Sequence, residues 1–331
     1  MSKSCCVLGG GVVGMFTALA LAKHGFIVTL LERNTLGGEA SWAGGGILFP
    51  LLPWHYPEAV NDLVMRGATD YQSWQTILRV ATYIDIEYQR CGMAIHDEQN
   101  LIAALNWCKA HAVVAEQRDQ QLWLPEVAQV RNPYLMQALK RYLPLQGVNV
   151  HEHCTVSAII TGQYLQGWRT PQGQVYSADY HIIATGAWSQ PWAPTGQVWP
   201  IRGQMLLYQV PPSTLRHIIY KDNFYLIPRL DGHLLVGSTL ENVGFDKGIT
   251  NEAKQDLIRK AQTFLPMLQA QTVLRQWSGL RPASHNNLPL ITRHQTLCNV
   301  FLNTGHFRYG VSMAPASAQC LLDILLQSEG I

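Results

Sequence analysis

Cys5-Cys6-Val7-Leu8-Gly9-Gly10-Gly11-Val12-Val13-Gly14 is the stretch that decides the fold. Cys5 to Leu8 is a short apolar run, which predicts a buried parallel strand. The glycines that follow satisfy GxGxxG. Met15 to His24 is apolar on nearly all sides, as in a helix buried under a sheet, and Gly25 supplies its stop. Phe26 to Leu31 reads as a second strand, ending at Glu32. Each part has a physical role. Gly9 allows the turn, Gly11 lets the backbone approach a pyrophosphate, and Gly14 lets helix and strand pack closely. The helix start, with Val12 and Val13, offers free N–H groups and partial positive charge to phosphates. Glu32 stands where a carboxylate accepts hydrogen bonds from a ribose diol. Strand, glycines, helix, strand and acid in this order form a dinucleotide-binding unit.

Residues Ser4 to Ala22 carry no charge, and Ala18-Leu19-Ala20 has the look of a leader cleavage site. Glycines at 9, 10, 11 and 14 suit a tight turn better than a bilayer span, so no membrane span is expected. A chain of 331 residues, 47% of them hydrophobic, allows two domains. The net charge is +2, from 24 basic and 22 acidic residues, with no basic stripe, which argues against nucleic acid as a partner. The 7 cysteines include no CxxC pair and read as reduced thiols of a cytoplasmic protein. His151 and His153 alternate on an expected strand but lack a third ligand, so they are read as solvent-facing and no metal is expected.

Segments further along carry a resemblance. Glu32-Arg33 precedes Ala40-Ser41-Trp42-Ala43-Gly44-Gly45-Gly46-Ile47-Leu48, a second glycine-rich loop. Gly147 to Val150 and Thr155-Val156 form another match, followed by Ala184-Thr185-Gly186-Ala187-Trp188-Ser189 and by Pro200-Ile201-Arg202-Gly203-Gln204. Tyr225-Leu226-Ile227-Pro228-Arg229, Gly279-Leu280-Arg281-Pro282 and Gly305-His306-Phe307-Arg308-Tyr309-Gly310-Val311 complete the series. In this order they resemble the D-amino-acid oxidase family of FAD enzymes, most closely the glycine oxidases of thiamine biosynthesis.

The resemblance implies that FAD sits on Gly9, Gly11, Val12, Val13, Gly14, Glu32 and Arg33. It adds Ala40, Ser41, Gly45, Gly46 and Ile47 from the second loop, with Val156 and Gly186 near the cofactor. It also implies that backbone N–H groups from His306 through Phe307, Arg308, Tyr309, Gly310 and Val311 to Ser312 face the flavin. Arg281 matches the arginine that grips the substrate carboxylate, Arg308 a second arginine beside it, and Tyr220 and Tyr225 two tyrosines of the same pocket. Leu240 and Asn223 replace a methionine and a histidine of that pocket. Ala283 and Ser284 stand where some relatives carry a flavin-linking cysteine, so the FAD is expected to be non-covalent.

The implied chemistry is oxidation of glycine or another small amino acid, with hydride passing to the flavin, dioxygen as acceptor and hydrogen peroxide as a product. Thiazole formation for thiamine is the implied pathway. A quinone-linked D-amino-acid dehydrogenase and an oxidase of sarcosine or another secondary amine remain open, as does assembly into a homo-oligomer. The expected architecture is an α/β Rossmann-type FAD domain (1–50, 145–198, 276–331) with a discontinuous substrate domain (51–144, 199–275) built on an antiparallel sheet. Helices are expected at Pro57 to Arg90, Glu98 to Ala112, Pro133 to Tyr142 and Thr250 to Phe264.

Overall fold

The strand Ser4–Leu8 lies in parallel between Ile27–Leu31 and Tyr180–Ile183. The computed structural model describes residues 2–96 and 100–329. Asn149–His151 extends the sheet beyond Ile27–Leu31, and Val300–Thr304 extends it beyond Tyr180–Ile183, both in parallel. Leu290–Arg293 closes the six-stranded sheet as an antiparallel edge. Cys5, Cys6 and Val7 are buried, as the unbroken apolar run requires of a strand covered on both faces.

The helix Val12–Lys23 packs beneath this sheet against the last helix, Gly310–Glu329. Met15, Phe16, Ala18, Leu19 and Leu21 are all buried, which explains why this helix is apolar nearly all round. Gly9 has a φ of +109°, and a Cβ there would lie 2.4 Å from the Ala184 carbonyl oxygen. A Cβ on Gly14 would meet the Gly9 carbonyl oxygen at 1.9 Å. The turn and the helix–strand contact therefore exclude side chains.

An eight-stranded sheet faces the first. Its long ladder joins Val198–Gln209 to Arg275–Ser284, and His233–Gly237, Phe224–Pro228 and Ile218–Lys221 follow, all antiparallel. One step departs from the expected antiparallel order: Ile218–Lys221 pairs in parallel with Met93–Ile95. Met93–Ile95 arrives from the helical region instead of from a hairpin, so its direction is set by that crossover. Ser157–Thr161, Tyr164–Arg169 and Val175–Tyr176 make a small antiparallel sheet with Gly162, Gly167 and Gly173 along it.

The expected helix from Pro57 to Arg90 is corrected. It is two helices, Glu58–Thr69 and Tyr71–Thr82, and Gln89–Arg90 is a strand pairing with Ala128–Gln129. The break seats Tyr71 in the core, where its hydroxyl donates to the Val311 carbonyl at 2.6 Å. The second helix stops where Tyr83 adopts a left-handed φ of 61°. Leu101–Ala110 is helical, and the expected start at Glu98 lies outside the described residues. Asn132–Leu145 and Asn251–Phe264 are the remaining expected helices, the latter capped by the Thr250 hydroxyl accepting from the Ala253 N–H at 3.3 Å.

Candidate functional site

A cavity of about 410 Å³ runs between the two sheets. Gly9, Gly11, Val12 and Val13 of the glycine turn form part of its wall, and so do Tyr225, Arg281 and Arg308. The carboxyl ends of the parallel strands open onto it, the usual place for a ligand in an open α/β sheet. Glu32 lines it with its carboxylate folded over the loop, accepting from the Gly10 N–H at 2.7 Å and the Asn34 N–H at 2.8 Å. Arg33 lies over the Trp188 ring at 3.9 Å. Val156 and Gly186 line the same stretch.

The second glycine loop crosses the cavity. Ala40, Ser41, Gly45, Gly46 and Ile47 are on its wall, and Ser41 Oγ accepts from the Val12 N–H at 2.9 Å. Arg229 holds this loop from behind, with Nη2 donating to the Gly45 carbonyl at 2.9 Å. Its Nη1 donates to Gln129 Oε1 at 2.5 Å and to the Val130 carbonyl at 3.0 Å. Burial pushes the Arg229 pKa down to about 10, and Arg131 adds to that. Asn132 Nδ2 donates to the Ser41 carbonyl at 2.7 Å.

Arg281 reaches across its own ladder. Nη2 donates to Ser238 Oγ at 2.6 Å and Nη1 to the Thr239 carbonyl at 3.2 Å. The guanidinium lies over Gly203 on the neighbouring strand, where a Cβ would meet Nη1 at 2.0 Å. Burial holds its pKa below the usual arginine range, Tyr225 opposes that, and Arg308 reinforces it. Tyr225 is on the wall, with its hydroxyl 3.8 Å from Met205 Sδ. Tyr220 is its cross-strand partner, sits behind it off the wall, and donates to Asn223 Oδ1 at 3.3 Å. Burial pushes the Tyr220 phenol up to about 12.

His306, Phe307, Arg308, Tyr309, Gly310 and Val311 all line the cavity. The Gly310–Glu329 helix starts on this wall, and the N–H groups of a helix's first turn have no partner within the helix. Ser312 and Gly14 lie off the wall: the Ser312 hydroxyl donates to the Tyr309 carbonyl at 3.1 Å, and Gly14 serves the packing described above. A buried relay secures this turn. His306 Nε2 meets Ser317 Oγ at 2.7 Å, which donates to Asn303 Oδ1 at 2.5 Å, and Asn303 Nδ2 donates to Thr17 Oγ1 at 3.0 Å. Burial lowers the His306 pKa to about 3, so the ring is neutral in this contact.

Leu240 and Asn223 were expected in the pocket wall and are not there. Leu240 is 42% exposed, and Asn223 accepts from Tyr220, which is itself off the wall. Arg229, Asn132, Ser238 and Thr239 were not singled out from the sequence. Arg229 had a readable signal, a cation that closes an apolar strand; a carbonyl such as that of Thr239 has none.

The donor set fits a flavin dinucleotide. A Cβ on Gly11 would approach only Ser41 Oγ, at 3.2 Å, so the backbone there is open to the cavity. Asn132 Oδ1 and Arg308 Nε are buried polar atoms without hydrogen-bond partners among the described residues. A parallel sheet with a glycine-cradled helix start, roofed by a second sheet that carries a buried guanidinium on the same cavity, is the build of a dinucleotide-binding oxidoreductase. Residues 4–324 match the family model DAO, FAD dependent oxidoreductase, and the chain belongs to that family. Its cofactor is FAD. The chain is 36% identical to the glycine oxidase of Pseudomonas aeruginosa over 100% of this chain and 97% of that protein. It is 30% identical to the bifunctional protein ThiO/ThiG of Trichormus variabilis, covering 99% of this chain and 53% of that protein. Its fold superposes on the crystal structure of glycine oxidase from Geobacillus kaustophilus with a TM-score of 0.88 at 22% identity, covering 98% of this chain and 95% of that one. No described helix is long and apolar enough to cross a membrane.

Proposed function

We propose that the protein oxidises the amine of glycine or a similarly small amino acid to an imino acid, which water hydrolyses to a 2-oxo acid and ammonia. Bound FAD supplies the two-electron acceptor for the α-carbon hydride, and dioxygen then accepts those electrons as hydrogen peroxide. The observation that carries this reading is Arg281, held by Ser238 and Thr239 on the wall of the cavity that the glycine fingerprint also lines. A planar guanidinium grips one carboxylate with two parallel hydrogen bonds, which fixes the α-carbon in place. Tyr225 and Arg308 line the same cavity.

Glu32 holds the ribose, while Gly11, Val12 and Val13 take the pyrophosphate at the helix start. The first turn after Tyr309 supports negative charge arriving on the cofactor. The amine must reach the site neutral, because only then is its lone pair available; no side chain has to remove the α-proton. The similarity to ThiO/ThiG supports delivery of the imino product to thiazole formation for thiamine.

Anaerobic addition of glycine to the purified yellow protein tests this reading. Loss of the flavin absorbance is expected. An unchanged spectrum with glycine, sarcosine and D-alanine would overturn it.

A further inference from the structure

Asn132 opens the helix Asn132–Leu145 and lines the cavity, yet it is fully buried and its carboxamide is only half used. Nδ2 donates to the Ser41 carbonyl at 2.7 Å, which settles how the amide is turned: reversed, it would set two oxygens against each other. Oδ1 has no hydrogen-bond partner among the described residues. Buried acceptors are almost always satisfied, and leaving one unsatisfied is costly. The second glycine loop makes room for this amide. A Cβ on Gly46 would meet Oδ1 at 2.6 Å, and one on Gly44 would meet Nδ2 at 2.9 Å. Both glycines are on the cavity wall.

The neighbours of the amide point to the part of the cofactor that passes it. Ser41, whose carbonyl holds Nδ2, accepts the Val12 N–H of the helix start on its hydroxyl at 2.9 Å. Gly45, between the two glycines that flank the amide, packs against the second sheet. A Cβ there would stand 2.5 Å from Ile227 Cδ1 and 3.5 Å from the Tyr225 ring. The amide therefore belongs to the stretch of wall that joins the pyrophosphate turn to the second sheet. In FAD the pyrophosphate is joined to the ring by the ribityl chain, an open polyol whose hydroxyls are donors of the kind that Oδ1 lacks. The adenosine ribose has its own acceptor in Glu32.

We infer that Asn132 is a cofactor-binding residue whose Oδ1 accepts a hydrogen bond from a ribityl hydroxyl of FAD while its Nδ2 holds the second glycine loop. One side chain thus ties the loop to the cofactor that the loop lies along. The contact is independent of which amine the protein oxidises.

The full-length chain is loaded in turn with FAD and with FAD lacking the 2′, 3′ or 4′ hydroxyl of the ribityl chain. Kd is read from the flavin fluorescence that returns on release, with no turnover involved. In the wild-type protein one of the deoxy forms is expected to bind about tenfold more weakly than FAD, the effect of leaving one buried acceptor unsatisfied. Asn132→Leu and Asn132→Ala remove the acceptor and should bring that gap to within about twofold. The lost bond to Ser41 weakens FAD and the deoxy form alike in these variants, so it cancels from the comparison. Asn132→Asp keeps the acceptor and should keep the gap. Equal binding of FAD and all the deoxy forms by the wild-type protein overturns the inference. So does a gap that persists in Asn132→Leu or Asn132→Ala, the result expected if a trapped water satisfies Oδ1. Either result leaves the amine-oxidising reading standing, since that reading is judged by the bleaching of the flavin with glycine.

Discussion

Gly203 is where one missing methyl group sets the position of the proposed substrate anchor. The Arg281 guanidinium lies where a Cβ at 203 would stand, 2.0 Å from Nη1. The φ of Gly203 is not in the left-handed region, so its backbone accepts alanine without strain, and only the guanidinium has to move. Gly203→Ala is expected to fold and stay yellow while raising KM for the amino acid by about tenfold or more, the scale of a weakened charge-assisted pair. Steady-state kinetics checks it; an unchanged KM would mean that Arg281 does not hold the substrate. Arg281→Ala removes the guanidinium outright. It should raise KM by about a hundredfold, with flavin content preserved in the purified protein.

At the scale of the element, the second glycine loop is held by groups far from it in sequence. Arg229 reaches Gly45 across 184 positions and also ties in Gln129 and Val130. A lysine offers one compact ammonium and cannot span the three acceptors. Arg229→Lys is therefore expected to cost about 2–4 kcal/mol in urea unfolding and to weaken FAD binding, because acceptors lose partners while a charge stays buried. Wild-type stability in that variant would show that the loop stands without the clamp. Ala40 to Ile47 is recognisable in the sequence as a loop of the cofactor site. Its clamp is not, because the pairing depends on a chain path set by the eight-stranded sheet.

For the whole molecule, the two sheets are tied by contacts around the cavity. Lys247 meets Glu39, Phe245 stacks on Trp188 at 5.7 Å, and Trp277 Nε1 donates to the Ala43 carbonyl at 3.0 Å. The core also hides histidines. Burial lowers the His306 pKa to about 3 and the His181 pKa to about 4. In the unfolded chain both titrate near the ordinary value of about 6.5. Below that value the unfolded state binds more protons, so stability is full above about pH 6.5 and falls as pH drops toward the folded values. Urea unfolding at pH 7 and pH 5 should show this loss, and His306→Gln should reduce it. An identical pH slope in the variant would place the loss elsewhere.

The order strand, glycine turn, helix, strand and acid is legible along the chain, because each of those signals lies within a few residues of the next. Contiguous motifs also mark Arg281, Arg308 and the His306–Val311 turn, and the cavity brings them together. The same local reading runs one helix too far past Thr82, since the 3.6-residue pattern does not reveal a buried Tyr71 or a left-handed Tyr83. Folding alone settles that Gly203 lies beneath Arg281, that the Thr239 carbonyl holds it, and that Leu240 is left exposed. Those outcomes depend on strand register and on how one sheet roofs another. Such long-range packing is not encoded in the spacing of neighbouring residues.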